Sequence, residues 1–566
     1  MKYKITSLTN KIWNIQDGLV EISGIAEILA KNRGIGDLGT FVNKSIKDFL
    51  PDPFVFIDMK EAVYRIVDAI KGNQKIAILG DYDVDGISAV SVLIKFLEHI
   101  GADYSYLIPS RMDEGYGLNI ANIEKYKDYL IIAVDCGSSS VEELAYAKNN
   151  HIDVIVIDHH SMSTIPDSFA IINPHRPDEK NNYKYLCATG LVFIYVVGIN
   201  RQLKEVGFYG TKMEPDLTDY LDLVALATVC DVVDLIELNR TFVQAGLKVI
   251  KQRRNLGIGI LLSAPINKSI GIITSETISF FLGPRLNAAG RMDHADLSVR
   301  LLTTKNPLEA KKIAQQLDAL NNERQTLEQK IMAEAVSFEK KDQNFICAYN
   351  FNWHIGIIGI IAGRMKEKYN KPTIIISKDS KGIGKASCRS IKDVDISSII
   401  KKGIDHEVII SGGGHHMAAG FSIDTSKIND LLEFLALNIK YEHYVPELYA
   451  DCIVPLNLVT VAFMEAVSIL EPFGVGNRPP KFIIPNVKIV SAKIVKENHI
   501  SFSIEDKNAN SLRAISFRCV GTPLGDILLK ECNSVSMLGR VVISFWNDRK
   551  YISFQLEDIS SDVVLK

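Results

Sequence analysis

The residues best suited to chemistry in this 566-residue chain gather in its first half, each group standing where an apolar run stops. Asp81, Asp83 and Asp85 follow KIAILG in the segment DYDVDG. Asp135 ends YLIIAV and precedes Cys136 and Gly137. Asp158, His159 and His160 follow DVIVI, and Asp231 follows LVALATVC, with Asp234 close behind as a second candidate. Three carboxylates at alternating positions repel one another by several kcal/mol unless a counter-charge sits among them. A divalent cation supplies that charge, and hard oxygen ligands suit Mg²⁺ or Mn²⁺. Two such ions hydrolyse phosphodiesters without a side-chain nucleophile, which fits the lack of a convincing Ser/His/Asp or Cys/His arrangement.

Each group also has a plainer explanation. The first is equally a solvated acidic loop at a helix start, favoured by the helix dipole. In the third, His160 caps or packs while Asp158 orients a neighbour. Asp231 and Asp234 both suit a helix end. Three consecutive motifs at three strand ends of one sheet are what point to one shared site.

The elements that must position these residues show in the apolar pattern. KIAILG, YSYLIP, YLIIAVD, DVIVID and FAIINP read as buried strands with helical stretches between them. That alternation predicts an α/β fold with a mostly parallel sheet covered on both faces, where ligands gather outside the carboxyl ends of the strands. Residues 1–50 read as an N-terminal helical segment, 51–250 as the catalytic domain and 251–340 as a helical connector. Within the connector, 307–340 is rich in helix formers. Residues 341–445 resume an α/β rhythm, and 446–566 are strand-like with polar turns, predicting a small β-barrel.

The net charge of −3 does not advertise nucleic-acid binding, so any such binding must come from local basic patches. Eight cysteines stand singly, which argues against a zinc ribbon or a disulfide framework and suits a reducing compartment. The first residues lack an apolar signal-peptide core, and no apolar run approaches the ~20 residues that span a bilayer. A cytoplasmic protein away from membranes is expected.

LGDYDVDG, VDCG, DHH and ATVCDVVDL, in this order and spacing, resemble the four motifs of the DHH phosphoesterase superfamily. NRGI (32–35), RMDEGYGL (111–118), GPRLNAAGRMD (283–293), WHIGIIGIIAGRM (353–365), ASCRS (386–390), GGHHMAAG (413–420) and EPFGVGNRPP (471–480) look like the downstream signatures of the RecJ family, bacterial single-strand-specific 5′→3′ DNA exonucleases. The resemblance covers nearly the whole chain. It implies that Asp83, Asp85, Asp135, His159 and Asp231 hold two Mn²⁺ or Mg²⁺ ions, with Asp135 bridging. His160 is expected to contact the scissile phosphate or complete the metal site, and Asp81 belongs to the same catalytic set. Related small phosphatases place a His four residues before the position of Asp83. Here that position is Leu79, leaving Asp81 as the substitute ligand or one metal site weaker.

For nucleic acid, the resemblance implies contacts from Arg285, Asn287, Arg291, His354, Arg364, Ser387, Arg389, Ser390, His415 and His416. Ala386 stands where the family prefers Gly, and His416 where it prefers Ala. Small residues around His415 would let backbone N–H groups approach phosphate, and Arg389 offers a forked donor pair. A glycine-rich helix entry without a ligand would explain GGHHMAAG equally well. The C-terminal region fits an OB-like barrel that grips single strands. Most of its aromatics (Phe502, Phe517, Phe545, Tyr551, Phe554) are expected in the core, with Trp546 as the exposed platform. The implied activity is release of mononucleotides from the 5′ end of single-stranded DNA in repair and recombination, by a monomer working beside a helicase and a single-strand-binding protein. Two rivals stand against it. A DHH phosphodiesterase for short oligonucleotides or cyclic dinucleotides would lack residues 450–566, and a binding scaffold would have lost its metal ligands.

Overall fold

The computed structural model describes residues 3–21, 24–109, 117–210, 212–263, 272–379, 382–441, 445–530, 534–546 and 549–561, the side chains of 544–549 excepted. Most of RMDEGYGL and the platform expected at Trp546 lie outside the described residues.

The apolar runs of the catalytic half form a five-stranded sheet in the order Tyr104–Leu107, Ile76–Gly80, Leu130–Val134, Val154–Ile157, Ala170–Ile172, every pair parallel. All residues of the three central strands are buried. Both faces are covered, so the strands read as unbroken apolar runs and not as alternation. On one face lies the largest core, to which helices Val84–Ile100, Ala188–Glu205 and Leu221–Cys230 contribute. The smaller core on the other face includes Leu118, Ile123 and Leu144. Leu79 belongs to this second core and is a packing residue.

A 29-residue helix, Pro307–Ala335, leads out of the catalytic half. Asn306 caps it, accepting from the N–H groups of Leu308 and Glu309, and Pro307 starts it where no donor is needed. At 1.5 Å per residue it is roughly 43 Å long. The next sheet runs Ser411–His415, Ala418–Ile423, Gly384–Arg389, Thr373–Lys378, Ile346–Tyr349, and only its last pair is parallel. In the C-terminal region Phe482–Val495, His499–Glu505, Ser511–Ser516, Arg549–Ser561 and Val535–Trp546 pair in that order. Val535–Trp546 then pairs back to Phe482–Val495, closing a five-stranded barrel. Phe502 and Phe554 fill its core, while Phe517 and Tyr551 face solvent.

The core placement expected of Phe517 and Tyr551 is thus corrected, and so is the helical reading of the N-terminus. The N-terminal segment begins with a hairpin, Tyr3–Thr6 against Ile12–Ile15, before helices Ile25–Asn32, Leu38–Asn43 and Ile46–Phe49. Ile12–Ile15 also pairs, in parallel, with Glu447–Ala450. Trp13 donates from Nε1 to buried Asp558 at 2.8 Å. These strands are stabilised by partners from the far end of the chain, which local pattern does not reveal.

Candidate metal centre

Each acidic group is positioned by a separate turn at the carboxyl edge of the parallel sheet. Asp83 caps helix Val84–Ile100, accepting from the N–H groups of Asp85 at 2.8 Å and Gly86 at 3.3 Å. Gly86 packs on the backbone of Asp81 so closely that a Cβ would lie 2.5 Å from its carbonyl oxygen. Asp85 is buried, and its two carboxylate oxygens accept from Ala188 N–H (2.7 Å) and Thr189 N–H (2.8 Å) at the start of helix Ala188–Glu205. A helix N-terminus suits a carboxylate, and these two donors fix the Asp85 side chain facing the site. Asp135 leaves its strand with φ of 60°, a left-handed conformation that aspartate tolerates better than most side chains and that recurs at functional turns. Asp231 ends helix Leu221–Cys230.

These side chains meet. His159 Nε2 lies 3.4 Å from Asp135 Oδ1, 3.6 Å from Asp231 Oδ2 and 3.7 Å from Asp85 Oδ2. Three overlapping sets have ligand atoms within 4.8 Å of one another: Asp81, Asp83 and Asp135; Asp135, His159 and His160; Asp85, His159 and Asp231. Asp135 belongs to two sets and Asp81 joins the set with Asp83, an arrangement suited to two neighbouring cations with Asp135 between them. His159 Nε2 and Asp231 Oδ2 are buried and make no hydrogen bond among the described residues. Buried polar atoms are seldom left so, and here they line the site. Burial, then the charges of Asp85 and Asp83, pushes the Asp231 carboxyl up to about 9. The same causes raise Asp135, and burial with Asp85 raises Asp83. A cluster so unwilling to ionise is the expected signature of a site completed by cations. The donor set of carboxylates with one or two imidazoles fits Mn²⁺ or Mg²⁺.

Asp158, named with the third group but given no catalytic or metal role, organises that motif. It is buried and accepts from His160 Nδ1 at 2.7 Å, from the N–H groups of His159 and Ser138, and from His160 N–H at 3.2 Å. Burial opposes its ionisation, but the hydrogen bond and charge of His160 hold it below the usual carboxylate range. In return, although burial opposes it, Asp158 raises His160 to about 9, leaving a half-exposed imidazolium beside the centre. Asn173 fixes the loop by donating to Ser138 Oγ and the His160 carbonyl. The signal for Asp158 was its adjacency to the two histidines.

The expected nucleic-acid residues divide. Arg291 and Asn287 lie half-buried on helix Gly283–Met292, and Arg291 Nη1 donates to the Gly356 carbonyl at 3.2 Å. This helix is wedged between the two α/β regions. A Cβ on Gly290 would press on Tyr82 of the first acidic loop, and one on Gly356 would overlap the Arg291 carbonyl. His354 caps helix Ile355–Tyr369, accepting from Gly356 N–H, and lines a cavity of about 620 Å³ with Lys330, Phe351, Trp353 and Lys378. Ser387 and Arg389 share strand Gly384–Arg389, with Arg389 Nη1 3.4 Å from Ser387 Oγ. His415 and His416 are exposed in a hairpin, so GGHHMAAG is a strand turn and not a helix entry. Three placements differ from expectation. Ser390 is fully buried and donates to the Val394 carbonyl at 2.6 Å, so its hydroxyl does not face a strand. Arg285 is buried against Phe281 and paired to Asp318 at 2.9 Å. Arg364 is paired to buried Glu328, which also holds Arg324 at 2.9 Å.

Family models match in the same order as these regions: the N-terminal domain of the DHH family over residues 75–228, the DHHA1 domain over 342–440 and the RecJ OB domain over 450–558. Among curated relatives, the single-stranded-DNA-specific exonuclease RecJ of Haemophilus influenzae is 31% identical over 87% of this chain and 88% of its own length. The chain belongs to the RecJ family. RecJ of Escherichia coli is 30% identical over 89% of this chain and 90% of its own. The Bacillus subtilis RecJ is 32% identical over 92% of this chain, which spans 65% of that relative's length. The crystal structure of RecJ in complex with Mn²⁺ from Thermus thermophilus shares the fold with a TM-score of 0.80, at 24% identity, over 98% of this chain and 80% of that one. A second RecJ structure, bound to manganese, is 27% identical with a TM-score of 0.59, covering 68% of this chain and 94% of that one.

Proposed function

We propose that this protein is a single-strand-specific DNA exonuclease that works with two Mn²⁺ or Mg²⁺ ions, removing mononucleotides from the 5′ end. The observation that carries the reading is the convergence on His159 Nε2 of Asp85, Asp135 and Asp231, three carboxylates brought from three turns to within 4 Å of one imidazole. Membership of the RecJ family supplies the substrate class, since the relatives are named as single-stranded-DNA-specific exonucleases.

In this reading Asp81 and Asp83 would hold one cation, Asp85, His159 and Asp231 the other, and Asp135 would serve both. The bound pair lowers the pKa of water and neutralises charge on the phosphodiester. The chain's own groups do the rest. Asp158 keeps His160 protonated and oriented, so that His160 presents a positive donor to the scissile phosphate. Arg389, Ser387, His415 and His416 grip the strand from the second sheet, with Arg291 and Asn287 on the wedge helix and His354 at its contact with the second α/β region. The barrel holds the strand further from the site. The division into 1–50, 51–250, 251–340, 341–445 and 446–566 follows these roles. The same reading makes the protein a cytoplasmic monomer serving repair and recombination beside a helicase and a single-strand-binding protein. Among the described residues no helix is long and apolar enough to cross a membrane.

The test is digestion of single-stranded DNA labelled at one end, with and without Mn²⁺. Prompt release of a labelled mononucleotide from the 5′ end, only with metal and not from blunt duplex, is the expected result. Turnover of dinucleotides without cleavage of long strands would replace this reading with a small-substrate one, and binding without cleavage would replace it with a scaffold.

A further inference from the structure

The turn that follows Asp231 is poorly supported by its own residues. Val232 has φ of 63° and Glu237 φ of 40°, both in the left-handed region, which is especially costly for a β-branched side chain. Backbone of this kind persists only where its surroundings over-determine it.

Within the catalytic half, buried Asn239 donates to the Asp234 carbonyl at 3.0 Å; the other supports come from the C-terminal region. The loop 470–478, between helix Val461–Ser468 and strand Phe482–Val495, turns towards the catalytic half. The Leu235 N–H donates to the Val475 carbonyl at 2.7 Å. The buried Leu235 side chain packs under Gly474, where a Cβ would lie 2.6 Å from Cδ1 and 3.0 Å from Cγ. Gly476, with φ of 75°, covers Ile236 and Asp234, and a Cβ there would lie 3.2 Å from Ile236 Cγ2.

The loop is itself pinned. Asn477, 4% exposed, donates to the carbonyls of Leu470 (2.8 Å) and Pro472 (2.9 Å). Arg240, 3% exposed, donates to the carbonyls of Leu470 (3.0 Å) and Glu471 (2.8 Å) and stacks on Phe41. Among the described residues no carboxylate pairs with Arg240, so a buried cation is committed to holding backbone, an expensive arrangement unless the position matters. Ser275 Oγ donates to the Phe473 carbonyl at 2.6 Å.

We infer that loop 470–478 is a positioning element for the metal centre: Gly474, Gly476 and Asn477 hold the strained turn that keeps Asp231 Oδ2 beside His159. This rests on the reading of Asp231 as a metal ligand and gives a task to the segment EPFGVGNRPP. The C-terminal region thereby contributes to metal affinity as well as to strand binding.

The test uses the full chain and Mn²⁺ alone, with free Mn²⁺ followed by electron paramagnetic resonance. Gly474→Ala should weaken one of two Mn²⁺ sites about tenfold, the scale of losing an outer support of a metal ligand. Affinity for single-stranded DNA should be unchanged, and cleavage should recover at high Mn²⁺. Adding Leu235→Ala removes the crowded atoms and should restore Mn²⁺ affinity. Asp231→Asn should lose the same site. A Gly474→Ala protein that is less heat-stable but binds Mn²⁺ like the parent would overturn the inference. If Gly474→Ala does not fold, Asn477→Ser, which loosens the loop without crowding, should weaken the same site about threefold, and unchanged Mn²⁺ affinity there would equally overturn it. A parent protein that binds no Mn²⁺ would instead remove the two-metal reading on which the inference rests.

Discussion

The acidic centre and the basic residues downstream of it handle charge in opposite ways. At the centre, Asp85, Asp135 and Asp231 are drawn together around His159, with His159 Nε2 and Asp231 Oδ2 buried and making no hydrogen bond among the described residues. Downstream, Arg285 is already neutralised by Asp318 and Arg364 by Glu328. The first arrangement needs something from outside the chain; the second is satisfied within it. A charged residue in a characteristic motif is therefore not yet a ligand contact. What decides is whether the fold has already supplied its partner.

The largest expected break of this contrast is Asp135→Asn. Removing the shared carboxylate should lower cleavage roughly a thousandfold, corresponding to the several kcal/mol of a metal-borne charge. Gel-shift affinity for single-stranded DNA should stay near that of the parent. A scaffold would show no metal-dependent activity to lose.

A smaller loss, about ten- to a hundredfold, is expected for Asp158→Asn, since it orients a group at the centre without being among the clustered ligands. Burial alone would depress His160, and Asp158 outweighs it to raise the imidazole to about 9. Without that carboxylate His160 loses its proton at lower pH, so the alkaline limb of the pH–rate profile should move towards neutrality. A limb that does not move would remove His160 from the role of charged donor.

Metal addition sharpens the contrast through stability. Burial and mutual repulsion raise Asp231 to about 9 and also raise Asp83 and Asp135. Carboxyls raised in the folded state bind more protons there than in the unfolded chain, so the metal-free protein should lose stability as pH rises from about 4 towards 9. Mn²⁺ must displace those protons, and its stabilisation should be greater at pH 8 than at pH 6. Differential scanning fluorimetry at the two pH values checks both signs.

The smallest effects separate two arginines. Arg285→Ala should cost about 2–3 kcal/mol of stability by stranding Asp318, with the strand affinity of the folded protein unchanged. Arg389→Ala should leave stability within about 0.5 kcal/mol, lower strand affinity several-fold and reduce the salt slope by about one. Urea melts and salt-dependent binding read the two outcomes apart.

How legible these features were in the sequence follows distance along the chain. The strands ending at Gly80, Val134 and Ile157 were visible because burial on both faces leaves an uninterrupted apolar run, and the acids stand immediately after it. Asp83 as a helix cap was also local. The N-terminal hairpin was hidden, because Ile12–Ile15 is completed by Glu447–Ala450. Ser390 looked like a phosphate donor until its hydroxyl met the Val394 carbonyl in a buried turn.

By itself, then, the sequence determined the strands and helices of the catalytic half and which atoms could bind a cation, since periodicity, capping and donor chemistry are properties of neighbouring residues. Only the tertiary structure decided which donors are spoken for. That is a matter of partners brought together from distant segments, such as Asp318 reaching Arg285, Thr189 reaching Asp85 and the loop around Gly474 reaching the turn behind Asp231. Hydrogen bonds are lost within a few tenths of an ångström of their ideal length, and the attraction of charges weakens with distance and solvent screening. Whether a group is satisfied or waiting is therefore set by who arrives beside it in space.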